Sequence, residues 1–151
     1  MKAVLDSSTL ISLAWSGLLD MLRRCPLDLV VPSEVRQETV VEGLARGHPD
    51  AAAIEVAVAP LESVAAHETS SVDEAVLHLG RTVGLVCTND VALGRRAANL
   101  GIGWLRTADL VVLCVRSGRI SPERGSASLQ ALRSTGRITE NLLDDYLKEL
   151  K

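Results

Sequence analysis

Two acids, Asp6 and Asp90, each follow a short apolar run, Lys2-Ala3-Val4-Leu5 and Gly84-Leu85-Val86-Cys87-Thr88-Asn89. An ionised carboxylate is costly beside a core unless something compensates it. Both acids stand where a buried strand should end and a helix begin, the edge at which open α/β sheets bind ligands. The competing role for each is a helix N-cap. Ser7, Ser8 and Thr9 can cap the helix after Asp6 without burying charge, which favours a site at Asp6. At Asp90 the choice stays open, because Thr88 or Asn89 could cap equally well.

Other acids fall on helix-like segments. Val72, Val76, Leu79 and Val83 form an apolar stripe, with Asp73 at its edge and Glu74 nearly opposite. Asp73 is therefore the better site candidate of the pair, against a plain first-turn acid favoured by the helix dipole. Glu34, Glu38 and Glu42 recur at helical spacing on one line, where like charges repel unless a cation or basic partner faces them. Periodicity does not separate Glu38 from Glu42.

Converging carboxylates without His or Cys suit hard cations, Mg²⁺ or Mn²⁺, which prefer oxygen ligands and keep several waters. Such ions neutralise a phosphodiester and activate water for in-line displacement. No side-chain general base is evident, so ion-activated water would be the nucleophile. Without the ion, the same acids would repel a nucleic-acid backbone. Phosphate contacts would fall to arginine, with Arg95 and Arg96 one turn past Asp90 as candidates, unless they only solvate an exposed helix face. Trp15, Trp104 and Tyr146 are the only aromatics, which disfavours base stacking. His48, His67 and His78 are not at metal-ligand spacing and read as surface or structural residues. Nucleophile-elbow and phosphate-cradling glycine motifs are absent.

The elements that must position these acids alternate between strand-like and helix-like, which points to an α/β fold with a small, mostly parallel sheet. Strands are expected over 2–6, 28–31, 61–66, 84–88 and 102–105. Helices are expected over 8–24, from Pro32 to about Ala45, over 72–80 after Ser70-Ser71, and over 90–99. Residues 50–59 fit either a helix or an alternating strand. The tail, 107–151, reads as helical pieces separated by Gly118, Pro122 and Gly136. The expectation is one domain over 1–151, an α/β core over 1–105 with a mainly helical part over 106–151.

Composition narrows the function. Hydrophobic residues make up 47% and aromatics 2%, so the core must be aliphatic. A net charge of −3 offers no global basic footprint for nucleic acid, though it leaves room for a local arginine patch. Cys25, Cys87 and Cys114 are widely spaced and odd in number, which implies neither a zinc site nor a disulfide framework, and suits a reduced, cytoplasmic setting. No leader is expected, and no apolar run approaches the ~18–20 residues of a membrane span.

Several of these segments, taken in order, resemble the PIN-domain family, especially the VapC-type toxin ribonucleases and related PIN-like proteins. Val4-Leu5-Asp6-Ser7-Ser8-Thr9-Leu10-Ile11-Ser12-Leu13 looks like the family's first strand, acid, hydroxyl pair and apolar helix. Val31-Pro32-Ser33-Glu34-Val35-Arg36-Gln37-Glu38 resembles the segment carrying the second acid, and the match falls on Glu38. Val72-Asp73-Glu74-Ala75-Val76 resembles the start of the helix with the third acid, and Leu85-Val86-Cys87-Thr88-Asn89-Asp90 the strand leading to the fourth. The similarity continues through Arg96-Ala97-Ala98-Asn99-Leu100-Gly101-Ile102.

The resemblance implies a three-layer α/β/α sandwich and metal-dependent cleavage of RNA. It implies catalytic and metal-holding roles for Asp6, Glu38, Asp73 and Asp90, with Ser8 supporting Asp6. It also implies a small antitoxin partner and a possible homodimer. One departure stands out: many family members carry another acid shortly after the fourth, whereas Val91, Ala92 and Leu93 follow Asp90 here. The leading expectation is therefore a Mg²⁺- or Mn²⁺-dependent endoribonuclease, the toxin of a toxin–antitoxin pair. The alternative is a catalytically weak or inactive binding module of the same fold. A phosphoacceptor receiver is disfavoured, because Lys2, Lys148 and Lys151 are badly placed for the lysine it needs.

Overall fold

The computed structural model describes residues 1–66 and 71–151. His67 and Ser70 lie outside the described residues. Five strands, β1 (Lys2–Leu5), β2 (Asp28–Pro32), β3 (Glu62–Val64), β4 (Leu85–Cys87) and β5 (Gly103–Leu105), form a parallel sheet in the order β3-β2-β1-β4-β5. Val4 of the central strand pairs with Val30 on one side and Val86 on the other. Ala3, Val4, Leu5, Val86 and Cys87 have no exposed surface. Strands covered on both faces need no polar alternation, which is why they read as unbroken apolar runs.

The chain runs outward from β1 through β2 to β3, then returns to β4 and leaves the other way to β5. Right-handed crossovers in opposite directions place their helices on opposite faces. Helices α1 (Ser7–Trp15), α2 (Met21–Arg24) and α5 (Ala51–Val58) pack together in one layer. Helices α6 (Val72–Val83) and α7 (Val91–Asn99) form the other, with α6 lying across β1 and β4. After β5, α8 (Thr107–Arg116) packs on α1 and α2, and α9 (Pro122–Ser134) and α10 (Glu140–Glu149) stack upon α8. This is the three-layer α/β/α sandwich expected from the sequence.

Two segments depart from a plain helical reading. The helix expected over 8–24 is two helices, because Gly17 adopts φ +69° and the backbone turns there. Such a left-handed residue ends a helix at little cost only when it is glycine. The helix after β2 starts as α3 (Ser33–Arg36), widens into a π turn (Gln37–Val41) and ends as α4 (Glu42–Ala45). π turns are rare and concentrate at functional sites. The undecided stretch is helical: Ile54 and Val58, four residues apart, are buried, while Val56 is 76% exposed.

Candidate active site

The strand order reverses between β1 and β4, so the connections leaving their C-terminal ends diverge and open a crevice. Asp6 leaves β1 there, its amide still donating to the Cys87 carbonyl of β4 at 3.0 Å. The residue is 5% exposed. Although Asp6 sits at the N-cap position of α1, its side chain caps nothing. Oδ2 instead accepts hydrogen bonds from Ser8 Oγ at 2.8 Å and Thr88 Oγ1 at 2.7 Å. Each hydroxyl has one proton, and both protons go to the same oxygen. The hydroxyls are held in turn: Ser8 Oγ accepts from the Asn89 amide at 2.9 Å, and Thr88 Oγ1 from the Asp90 amide at 3.0 Å. Asp6 Oδ1 has no hydrogen-bond donor among the described residues.

Thr88, read from the sequence only as a possible cap and part of a motif, is thus the second hydroxyl beneath Asp6. The β4 end is braced from behind. Trp104 Nε1 donates to the Thr88 carbonyl at 3.0 Å, and the indole lies against Gly94 of α7, where any Cβ would collide with the ring.

Asp90 takes the cap, one of the two roles its sequence left open. Its Oδ1 accepts from the Leu93 amide at 3.2 Å, capping α7, and the residue is exposed at the crevice. Neither Thr88 nor Asn89 takes the cap. Asp73, in the first turn of α6, is partly buried. Its pKa is raised by burial first, then by the charges of Asp6 and Asp90, with Arg96 opposing. Glu38 projects from the π turn, and its pKa is also raised, by burial first and then by Asp6, Glu42 and Asp73. The Ser7 hydroxyl opposes the rise; it is buried and makes no hydrogen bond among the described residues. The charge of Asp6 thus acts on both Glu38 and Asp73, and that of Asp90 on Asp73.

Their neighbours divide by contact. Glu34 is turned aside: its Oε1 accepts from the Ala66 amide at 3.0 Å, fastening α3 to the segment after β3. Glu74 pairs with Arg96, Oε1 to Nη2 at 2.6 Å, with both half exposed. Arg95 is exposed and has no ion pair among the described residues. Glu38 and Glu42 both border two cavities. One, about 480 Å³, is lined by Ser33, Gln37, Glu42 and Ser71; the other, about 250 Å³, by Trp15, Arg46, His48 and Asp50.

The donor set is all oxygen, and the unused oxygen of Asp6 together with two carboxylates carrying raised pKa values is what a hard divalent cation would relieve. Among the described residues no three His, Cys, Asp or Glu side chains are drawn up as a direct ligand set. A cation here would keep part of its water shell, as Mg²⁺ ordinarily does.

No helix among the described residues is long and apolar enough to cross a membrane. No curated protein matches the chain at a significant level. Residues 2–151 match the family model described as PIN domain. With nearly its whole length matched, the chain belongs to the PIN-domain family, whose members are generally nucleases.

Proposed function

We propose that this protein is a Mg²⁺- or Mn²⁺-dependent endoribonuclease, the toxin of a toxin–antitoxin pair, with Asp6, Glu38, Asp73 and Asp90 as its metal-holding acids. The observation that carries the reading is the buried Asp6 carboxylate at the β1–β4 crevice, with Oδ2 held by two hydroxyls and Oδ1 left without a donor among the described residues. Left bare, the four acids would repel RNA; with a cation they become an anchor for its phosphate. When bound, the cation would supply charge neutralisation and activation of water.

The protein's own groups do the rest. Ser8 and Thr88 hold Asp6 Oδ2, which leaves Oδ1 as the free ligand oxygen. Asp90 keeps its second oxygen for the site while its first caps α7. Glu38 and Asp73, approaching from the helices on either side, close the crevice. Arg95 is free to meet the RNA backbone, whereas Arg96 must first release Glu74. A small antitoxin would act by covering this crevice, and a homodimer is part of the same reading.

Cleavage of single-stranded RNA with added Mn²⁺ tests the assignment. Asp6→Asn is expected to lose at least about a hundredfold in rate, the scale of a lost metal ligand or its support. Equal rates for wild type and variant would sink it. The absence of an acid directly after Asp90, where Val91 is half exposed, favours a second reading, a PIN-fold binding module without catalysis. Titration calorimetry with Mn²⁺ separates the two, since tight binding at the acids argues against an inert site.

A further inference from the structure

Trp15 is 57% exposed at the end of α1, the largest side chain left open to solvent in a chain with almost no aromatics. Its ring is not loose. The Arg137 guanidinium lies 4.2 Å from its centroid. Arg137 is brought there by the turn after α9, where Gly136 adopts φ +76° and the Arg137 amide donates to the Leu132 carbonyl at 2.8 Å.

The pair is fastened to the acid centre. Asn89 Nδ2 donates to the Arg137 carbonyl at 2.8 Å, and the Asn89 amide donates to Ser8 Oγ, which donates to Asp6. A continuous run of hydrogen bonds therefore links Asp6 to Arg137. Arg137 has no carboxylate partner among the described residues, and its Nε is buried with no acceptor. A guanidinium with no carboxylate partner, on a backbone tied through Asn89 and Ser8 to Asp6, is placed to receive an anion.

The cavity of about 250 Å³ opens beside the same indole, with Ile11, Trp15 and Glu38 in its walls and Arg46, His48 and Asp50 around them. It shares Glu38 with the acid centre. Arg137 is not in its walls. The cavity thus combines a flat aromatic wall with hydrogen-bonding groups of both kinds. Unpaired RNA bases are recognised in just such a setting, stacked on an aromatic and bonded along their edges.

We propose that Trp15 and Arg137 form a nucleotide subsite of the ribonuclease: Trp15 stacks the base next to the scissile phosphate, and Arg137 holds a neighbouring phosphate. The inference rests on the ribonuclease reading. It also revises the expectation from composition, since one well-placed indole supplies the stacking that two per cent aromatics disfavours.

The test titrates full-length protein against a short fluorescein-labelled single-stranded RNA in millimolar Ca²⁺, with intactness of the RNA checked on gels. Anisotropy reports binding and intrinsic emission reports the indole. RNA is expected to quench the wild-type emission, and Trp15→Phe to lose the quench while binding within about threefold, because phenylalanine still stacks. Trp15→Ala is expected to weaken binding about 5- to 100-fold. Arg137→Ala is expected to weaken it and to lower the salt-dependence slope by about one. Unchanged emission, or wild-type binding by Trp15→Ala and Arg137→Ala, would overturn the subsite and leave the ribonuclease reading standing. Trp15→Ala that binds RNA normally but loses a protein partner would overturn it in favour of a protein-docking role. No RNA bound by the wild type would overturn both. Trp15→Phe guards the test against misfolding of the alanine variant.

Discussion

At neutral pH Glu38 and Asp73 carry charge against resistance from partial burial and from neighbouring acids, Asp6 first among them. Their folded pKa values lie above the unfolded ones, so the folded protein holds protons more readily. The sign follows: the two groups oppose folding at neutral pH, and that opposition fades as pH falls through their raised values. Glu38→Gln or Asp73→Asn should therefore raise the metal-free melting temperature at pH about 7 by about 1–3 °C, after allowance for solvent screening. The gain should vanish toward pH about 4. Differential scanning calorimetry in EDTA across this range checks it, and a lower melting temperature at neutral pH would contradict the repulsion. Added Mn²⁺ should reverse the order, stabilising wild type more than either variant. Two hydroxyl donors meet the charge of Asp6 directly. That its side chain leaves α1 uncapped agrees with the reading of Ser7, Ser8 and Thr9 beside it. The support from Thr88 was not legible in the sequence, since eighty-two residues separate it from Asp6 and only the sheet brings them together.

Among the elements, the junction of β4 and α7 bears most on the site. Gly94 lets the Trp104 indole lie against α7, and that indole holds the Thr88 carbonyl. Gly94→Ala would press a methyl group into the ring. The expected cost is about 1–3 kcal/mol, typical of overpacking, with a shift in Trp104 emission and weaker cleavage. Urea unfolding followed by fluorescence checks it; a variant as stable as wild type, with unchanged emission, would show that the indole is free to move. The π turn is the second element that matters. Glu34, Glu38 and Glu42 look equivalent by spacing, yet Glu34 is bonded to the Ala66 amide and Glu38 faces the other acids. Helical periodicity assumes an even helix, so it had no means of separating them. It failed for a similar reason at Gly17, where a left-handed residue splits one apolar repeat into two helices.

Across the whole molecule, the helical tail is tied back to the first half of the chain by Asp20. Its Oδ2 takes Arg24 Nε at 3.2 Å and also the Arg124 guanidinium of α9. Burial pushes the Asp20 pKa up, but Arg124 and Arg24 together hold it below the ordinary carboxylate value. A depressed folded pKa means that the stabilisation is present above the unfolded value of 3.8 and is lost as pH falls below it. Asp20→Ala should cost about 1 kcal/mol at pH about 7, since both arginines are partly exposed. The difference from wild type should shrink in acid, as thermal melts at several pH values would reveal. A constant difference would mean that the loss is one of packing alone. The sequence by itself determined the alternation of strands and helices, the aliphatic core and the two acids at strand ends, because these follow from local periodicity and from the cost of burying charge. Only the tertiary structure decided which acids face one another, that Thr88 supports Asp6 and that Arg137 meets Trp15, because those contacts join residues far apart in the chain through the order in which strands enter the sheet.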